Sequence, residues 1–253
     1  MGSSVLFIGN SFSVDTMQHV GKILRKMGKK DIFLGTLYMG ACSVNMHLNN
    51  ALENKPAYTY YTNWGLGWHE KPEVTVIEAL KSRRWDWVVI QNGTGDGSKS
   101  TSYESLENLP ALVDWVKNNL DYPVKTAFNM TWVGATWHTH KQIVEFGGDT
   151  DKMFDLICGV MKRLESEAIV DKVCPTGIAV QKAKKQSLGD DIYRDGYHLS
   201  MGIGRFIAGL SLVYSLLGED ISEFSWQPQG VTDDQRELAK KCAVEAESSA
   251  FGG

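Results

Sequence analysis

Short apolar, β-rich runs alternate with longer stretches of helical periodicity along this 253-residue chain, and that alternation constrains the fold more than any single residue does. A strand that passes through a helix into a neighbouring strand builds a parallel sheet with helices on both faces. The runs predict strands at Val5–Ile8, Ile32–Tyr38, Trp87–Gln91, Val124–Asn129 and Ala168–Val173. Helical spacing predicts Thr16–Met27, Ser102–Asn119, Met153–Glu167, Met201–Leu217 and Thr232–Glu247. No change of composition marks a linker and no repeat is visible, so residues 1–253 read as one domain. The expected fold class is α/β, a three-layer α/β/α sandwich with a doubly wound, about five-stranded parallel sheet of the flavodoxin-like kind. One stretch departs from the pattern. Between Lys55 and Pro72, Tyr58, Tyr60, Tyr61, Trp64 and Trp68 crowd together with two glycines, which suits a loop or small hairpin lying over one end of the sheet.

Composition removes several function classes. Hydrophobic residues at 43% and charged residues at 22% are the figures of a globular protein. A net charge of −4, with no basic cluster beyond Lys182, Lys184 and Lys185, argues against a nucleic-acid binder. No run approaches the ~20 apolar residues that span a bilayer. The only apolar segment near the start is interrupted at Asn10, so no signal peptide is legible, and the chain reads as cytoplasmic as written. Export is the alternative, with Met1 to Ser4 left behind by a removed signal. Cys42, Cys158, Cys174 and Cys242 form no C-x-x-C pair, which fits free thiols in a reducing compartment.

Ligands of open parallel sheets bind beyond the carboxyl ends of the strands, so the residues that follow each strand carry the functional expectation. The first run, VLFIGNSFSVD, breaks off at Gly9-Asn10-Ser11; the second ends in Met39-Gly40-Ala41-Cys42-Ser43, the third in Gln91-Asn92-Gly93 and the fourth in Asn129-Met130-Thr131-Trp132. Late in the chain RDGYHLS places Asp195 three residues before His198. A serine hydroxyl becomes a useful nucleophile when an imidazole takes its proton, and the imidazole needs a carboxylate on its other nitrogen to fix its tautomer. Asp195 and His198 can make that second contact within one turn. The amides of Ser11 and Gly40, with a side-chain amide from Gln91 or Asn92, can hold the oxyanion of a tetrahedral intermediate. Glycine at position 40 lets the backbone approach a substrate closely.

These blocks resemble those of the SGNH hydrolases, also called GDSL esterases and lipases. In that superfamily a serine lies in an N-terminal G-D-S or G-N-S block, and Asp and His share a C-terminal D-x-x-H block. Here the blocks are Gly9-Asn10-Ser11 and Asp195-Gly196-Tyr197-His198, and the chain is most similar to a branch that opens F-I-G-N-S-F-S and closes R-D-G-Y-H-L-S. The resemblance implies Ser11 as nucleophile, His198 as general base and Asp195 as its orienting partner, with oxyanion donors from Ser11 and Gly40. The family's third block is usually G-x-N-D, whereas this chain reads IQNGTGD, so the third donor falls to Gln91, which ends the strand, or to Asn92. The implied activity is hydrolysis of carboxylic esters through an acyl-serine, with no cofactor or metal. By analogy with the superfamily the substrate is a short acyl ester, acetyl on a carbohydrate above all.

Other motifs compete. The loop Gly93 to Thr101, GTGDGSKST, nearly matches the phosphate-binding G-x-x-x-x-G-K-[ST], but Ser98 stands where the motif needs glycine. Its nucleotide-binding reading is the alternative function, together with a non-catalytic carbohydrate-binding module on the same fold. His138 and His140 form an H-x-H pair without further nearby ligands and read as exposed polarity, and His19, His47 and His69 are weaker metal candidates. The aromatic insert and Trp132 offer either a sugar-stacking platform or packing that covers the sheet. Cys42 has no histidine placed for a thiol mechanism by sequence, and a buried cysteine is the commoner case.

Overall fold

The structure is a computed structural model that describes residues 3–249 apart from 94 and 140. In chain order, β1 (Ser3–Gly9) leads through α1 (Ser11–Met17) and α2 (Val20–Lys26) to β2 (Ile32–Tyr38). Then α3 (Val44–Leu52) precedes a hairpin of β3 (Tyr58–Asn63) and β4 (Trp68–Val74), and α4 (Val76–Lys81) enters β5 (Trp87–Ile90). A 3-10 turn at Tyr103–Leu106 and α5 (Leu109–Asn118) lead to β6 (Lys125–Asn129), and α6 (Lys141–Glu145) with α7 (Thr150–Ser166) to β7 (Lys172–Cys174). The last elements are α8 (Thr176–Ala183), α9 (Ile203–Ser215) and α10 (Asp233–Ser248).

The sheet has seven strands in the order β4-β3-β2-β1-β5-β6-β7. Its five expected strands are parallel and follow a doubly wound order, with β1 central between β2 and β5. Val5, Leu6, Phe7 and Ile8 are fully buried, which is why β1 is a continuous apolar run rather than an alternating one. Helices α1, α2, α8 and α10 gather around α9 on one face, and α3, α4 and α5 pack together on the other. Two packed helical layers around a largely parallel sheet give the three-layer α/β/α architecture expected from the strand and helix pattern.

The aromatic insert does not lie over the end of the sheet. Its strand β3 pairs antiparallel with β2, in the register Thr36↔Tyr61 and Tyr38↔Thr59, so the hairpin widens the sheet at its edge. Tyr58 and Tyr60 point into the core while Tyr61 stays half-buried, the alternation of a strand with one wet face. The predicted helix from Ser102 resolves into the 3-10 turn and α5, which begins where Pro110 can occupy the first turn. The strand predicted over Ala168–Val173 is confined to Lys172–Cys174, because Ala168 takes a left-handed turn (φ 50°) at the end of α7.

Candidate active site

The GNSFS block builds a helix start. Asn10 caps α1: its Oδ1 accepts the Phe12 amide at 3.0 Å, and its own amide donates to Ser13 Oγ at 2.9 Å. Glycine is needed at position 9 because a Cβ there would lie 1.8 Å from Ser13 Oγ. The Asn10 side chain also donates to the Cys42 carbonyl at 3.1 Å, tying the loop after β2 to the same corner. Ser11 is therefore presented at the first position of α1, just past the end of the central strand.

The RDGYHLS block folds into a tight loop that reaches the same point. Asp195 Oδ1 accepts the amides of Tyr197 (3.0 Å) and His198 (2.7 Å), and Gly196 supplies the left-handed residue of the turn (φ 78°). Asp195 Oδ2 meets His198 Nδ1 at 2.8 Å, and His198 Nε2 meets Ser11 Oγ at 2.9 Å. The Asp195 side chain is 47% exposed and that of His198 26%, so the imidazole is wet on one side. Partial burial pushes the Asp195 carboxyl upward, but the His198 amide, the His198 ring and the Tyr197 amide outweigh it and hold the carboxyl down at about 2. The carboxylate is ionised above about pH 2, which suits it to hold the ring and stabilise an imidazolium.

These groups open onto a cavity of about 550 Å3, walled by Phe12, Tyr38, Gly40, Ala41, Gly93, His138 and Tyr197. Phe12 and Tyr197 pack ring on ring (4.9 Å), and the Tyr197 carbonyl accepts from Trp132 Nε1 at 2.9 Å. Gly40 lies in the wall, and a Cβ added there would meet only the Tyr38 hydroxyl, at 3.4 Å. Gln91 and Asn92 are not in the wall. Gln91 is fully buried, and Asn92 is engaged elsewhere: its Oδ1 accepts the Val44 amide at 3.0 Å and its Nδ2 donates to Ser105 Oγ at 3.3 Å. The backbone of the following residue, Gly93, reaches the cavity instead, pressed against the Ala41 and Cys42 carbonyls.

A second layer has no counterpart in the sequence reading. Asp15, one turn after Ser11 on α1, is fully buried. Its Oδ1 accepts from Arg194 Nη1 (2.9 Å) and Arg205 Nη2 (2.7 Å), and its Oδ2 from the Leu199 amide (2.8 Å). Arg194 and Leu199 flank the Asp195–His198 turn, so this ion cluster fastens the helix of Ser11 to the loop of His198. In sequence Asp15 stands among Val14, Met17 and Val20, and nothing there names its distant partners.

The competing motifs are placed as well. In the 93–101 loop, Asp96 accepts from Ser43 Oγ (2.6 Å) and the Ser98 amide (3.0 Å), and Lys99 pairs with Glu145 (2.9 Å), so the polar groups of the loop are spent on one another and on neighbours. Thr94 lies outside the described residues, as does His140 of the H-x-H pair. Among the described residues no group of three His, Cys, Asp or Glu is placed to hold a metal ion, and no helix is long and apolar enough to cross a membrane. Trp132 is buried under the site and cannot serve as a stacking platform. Cys42 does have a histidine: its Sγ lies 3.3 Å from His47 Nδ1. Burial nevertheless pushes the thiol up to about 12, the opposite of what a nucleophilic thiol needs.

Comparison with known proteins gives a family and a fold. No curated protein sequence matches the chain. The crystal structure of a DUF4886 family protein from Bacteroides uniformis superposes with a TM-score of 0.92 at 27% identity, covering 100% of this chain and 97% of that one. A catalytic mutant of Axe2, an acetylxylan esterase from Geobacillus stearothermophilus, superposes with a TM-score of 0.56 at 14% identity over 90% of this chain and 99% of that one, a likeness of fold. A member of the lipolytic G-D-S-L family from Veillonella parvula gives a TM-score of 0.45 at 12% identity, covering 97% of this chain and 98% of that one. The model of DUF4886, described as a domain of unknown function, matches residues 4–246, and the chain belongs to that family.

Proposed function

We propose that the chain is a serine esterase that hydrolyses short acyl esters, acetyl groups on a carbohydrate in particular, through an acyl-Ser11 intermediate. The observation that carries this reading is the unbroken hydrogen-bonded line from Asp195 through His198 to Ser11, ending in an open cavity. His198 Nε2 takes the Ser11 proton as Oγ attacks the ester carbonyl carbon. The oxyanion is held by the backbone amides of Ser11 and Gly40. Collapse breaks the bond to the alcohol oxygen, which leaves with the proton from His198. Water then attacks the acyl-serine, giving its proton to His198, and the carboxylic acid departs as Ser11 is restored. Asp195 stays ionised throughout and steadies the imidazolium. The fold shared with an acetylxylan esterase supports acetyl as the acyl group, and the aromatic walls at Phe12, Tyr38 and Tyr197 suit a small apolar acyl group better than a charged one.

The test is hydrolysis of 4-nitrophenyl acetate by wild type and Ser11→Ala, with folding matched by circular dichroism. Loss of roughly 10^4–10^6-fold in kcat is expected. Equal rates in the two proteins would sink the assignment of Ser11.

A further inference from the structure

Beside the triad cavity a second, smaller hollow of about 260 Å3 lies between α1 and the β3–β4 hairpin, lined by Val14, Met17, Gln18, Thr36, Tyr61 and Trp68. On α1, Ser11, Val14 and Gln18 are three and then four residues apart, so one helix face runs from the nucleophile into this hollow. On the sheet, Tyr38 walls the triad cavity and Thr36, two residues earlier on the same face of β2, lines the hollow. The Tyr38 and Tyr61 rings, 6.0 Å apart, join the two.

The chemistry of the walls is mixed in a specific way. Trp68 and Tyr61 offer aromatic surface, and the Trp68 indole is pinned by its Nε1 donating to the Gln18 carbonyl at 3.4 Å. Thr36 is 1% exposed, and its hydroxyl has no hydrogen-bond partner. Gln18 is steadied by Arg205 Nη1, which donates to its Oε1 at 3.0 Å and leaves the amide nitrogen to point elsewhere. An alkyl chain in the hollow would leave the Thr36 hydroxyl without a partner. A pyranose or furanose ring would not, because it carries C–H groups for an aromatic face and hydroxyls around its edge. The volume falls below the ~300–1,000 Å3 of pockets for drug-sized ligands, which fits a single ring.

We propose that this hollow is a saccharide subsite, in which one sugar ring of a neutral oligosaccharide stacks on Trp68 and Tyr61 and hydrogen-bonds to Thr36 and Gln18. Sugar binding stands on the hollow alone; only its use to place an acylated neighbour over Ser11 rests on the esterase reading. The platform suggested by the sequence is thereby narrowed to Trp68 and Tyr61, since Trp64 packs against Phe33 and His69 outside the hollow.

The experiment has two arms. In the first, calorimetric titration of Ser11→Ala with a panel of neutral trisaccharides (xylotriose, cellotriose, mannotriose and the N-acetylglucosamine trimer) is expected to find at least one binder. Its affinity should fall about tenfold when Trp68→Ala is added and about threefold with Thr36→Val. No binding across the panel, or binding indifferent to both substitutions, overturns the proposal. In the second, kcat/KM of the Ser11-intact enzyme is measured on acetylated oligosaccharide, 4-nitrophenyl acetate and 4-nitrophenyl hexanoate. Trp68→Ala should lower the ratio of saccharide ester to nitrophenyl acetate about tenfold. A selective loss on the hexanoate instead would make the hollow an acyl-chain slot and also overturn the proposal. Trisaccharide binding without any esterase activity would defeat the hydrolase reading and leave the subsite standing.

Discussion

Two pairs of the same chemical kind stand near neighbouring strand ends of this sheet. Ser11 Oγ lies 2.9 Å from His198 Nε2, and Cys42 Sγ lies 3.3 Å from His47 Nδ1; Asp195 holds the opposite nitrogen of the first ring, whereas the Tyr58 hydroxyl (2.9 Å) shares Nδ1 with the thiol on the second. By side-chain type the cysteine pair would be the stronger nucleophile. Surroundings reverse the order. His198 is partly wet and held by an ionised carboxylate, whereas burial, only partly offset by the Gln91 backbone, pushes His47 down to about 3 and the thiol beside it up to about 12. A buried pair without a counter-charge stays neutral, and a neutral thiol beside a neutral ring is packing. Proximity of nucleophile and base is thus not enough; the pair must open to a cavity and have somewhere to put the charge.

The largest effect that distinguishes the pairs is kinetic. His198→Ala should cost roughly 10^4–10^6-fold in kcat on 4-nitrophenyl acetate, whereas Cys42→Ala should change kcat by no more than a few-fold. A loss in Cys42→Ala comparable to that in His198→Ala would show that the buried pair takes part. Next comes the ion cluster that ties the helix of Ser11 to the loop of His198. Asp15→Asn leaves the two arginines with a neutral partner, and breaking such a buried arrangement costs about 3–5 kcal/mol, a fall in Tm of very roughly 6–20 °C for a domain of this size. kcat should fall more than KM rises, because the Ser11–His198 alignment is what is lost. Unchanged Tm and kcat would mean that the cluster neither stabilises nor positions.

The smallest effect concerns acid. His47 binds its proton more weakly folded than unfolded, so the unfolded chain holds more protons between pH ~6.5 and about 3. Stability should therefore decline as pH falls through that window. His19, lowered by burial, though the Met201 carbonyl raises it, adds a contribution of the same sign. Asp195 acts in a different range, its contribution being present above pH ~3.9 and lost as pH falls toward about 2. Urea unfolding between pH 4 and 7 should then show a shallower acid slope for His47→Asn than for wild type; equal slopes would remove His47 from the account.

What was legible in the sequence was what is local. The apolar run of β1 shows a strand buried on both faces, G-N-S shows a capped turn, and Asp195 and His198 need only three residues of separation to meet. Residues whose partners are distant were invisible. Asp15 reads as an ordinary helical aspartate until Arg194 and Arg205, far along the chain, are brought to it. Gln91 and Asn92 were placed at the rim by strand position, but the orientation of a residue just past a strand depends on its neighbours, and Val44 and Ser105 draw Asn92 away. The aromatic insert was visible as an anomaly, but only the pairing of β3 with β2 made it part of the sheet edge. The short helices α3, α4 and α8 carried too few turns for a readable period.

The Asp15 cluster joins residues 179 positions apart in the case of Arg194, and the Ser11–His198 contact spans 187. Six of the seven strands, β2 to β7, lie between the two residues in sequence, so on the esterase proposal the serine is without its base until the late loop docks beside it. The proposed reactivity therefore belongs to the docked fold and to neither segment alone, and a chain cut before Asp195 would hold the serine with neither its base nor the carboxylate.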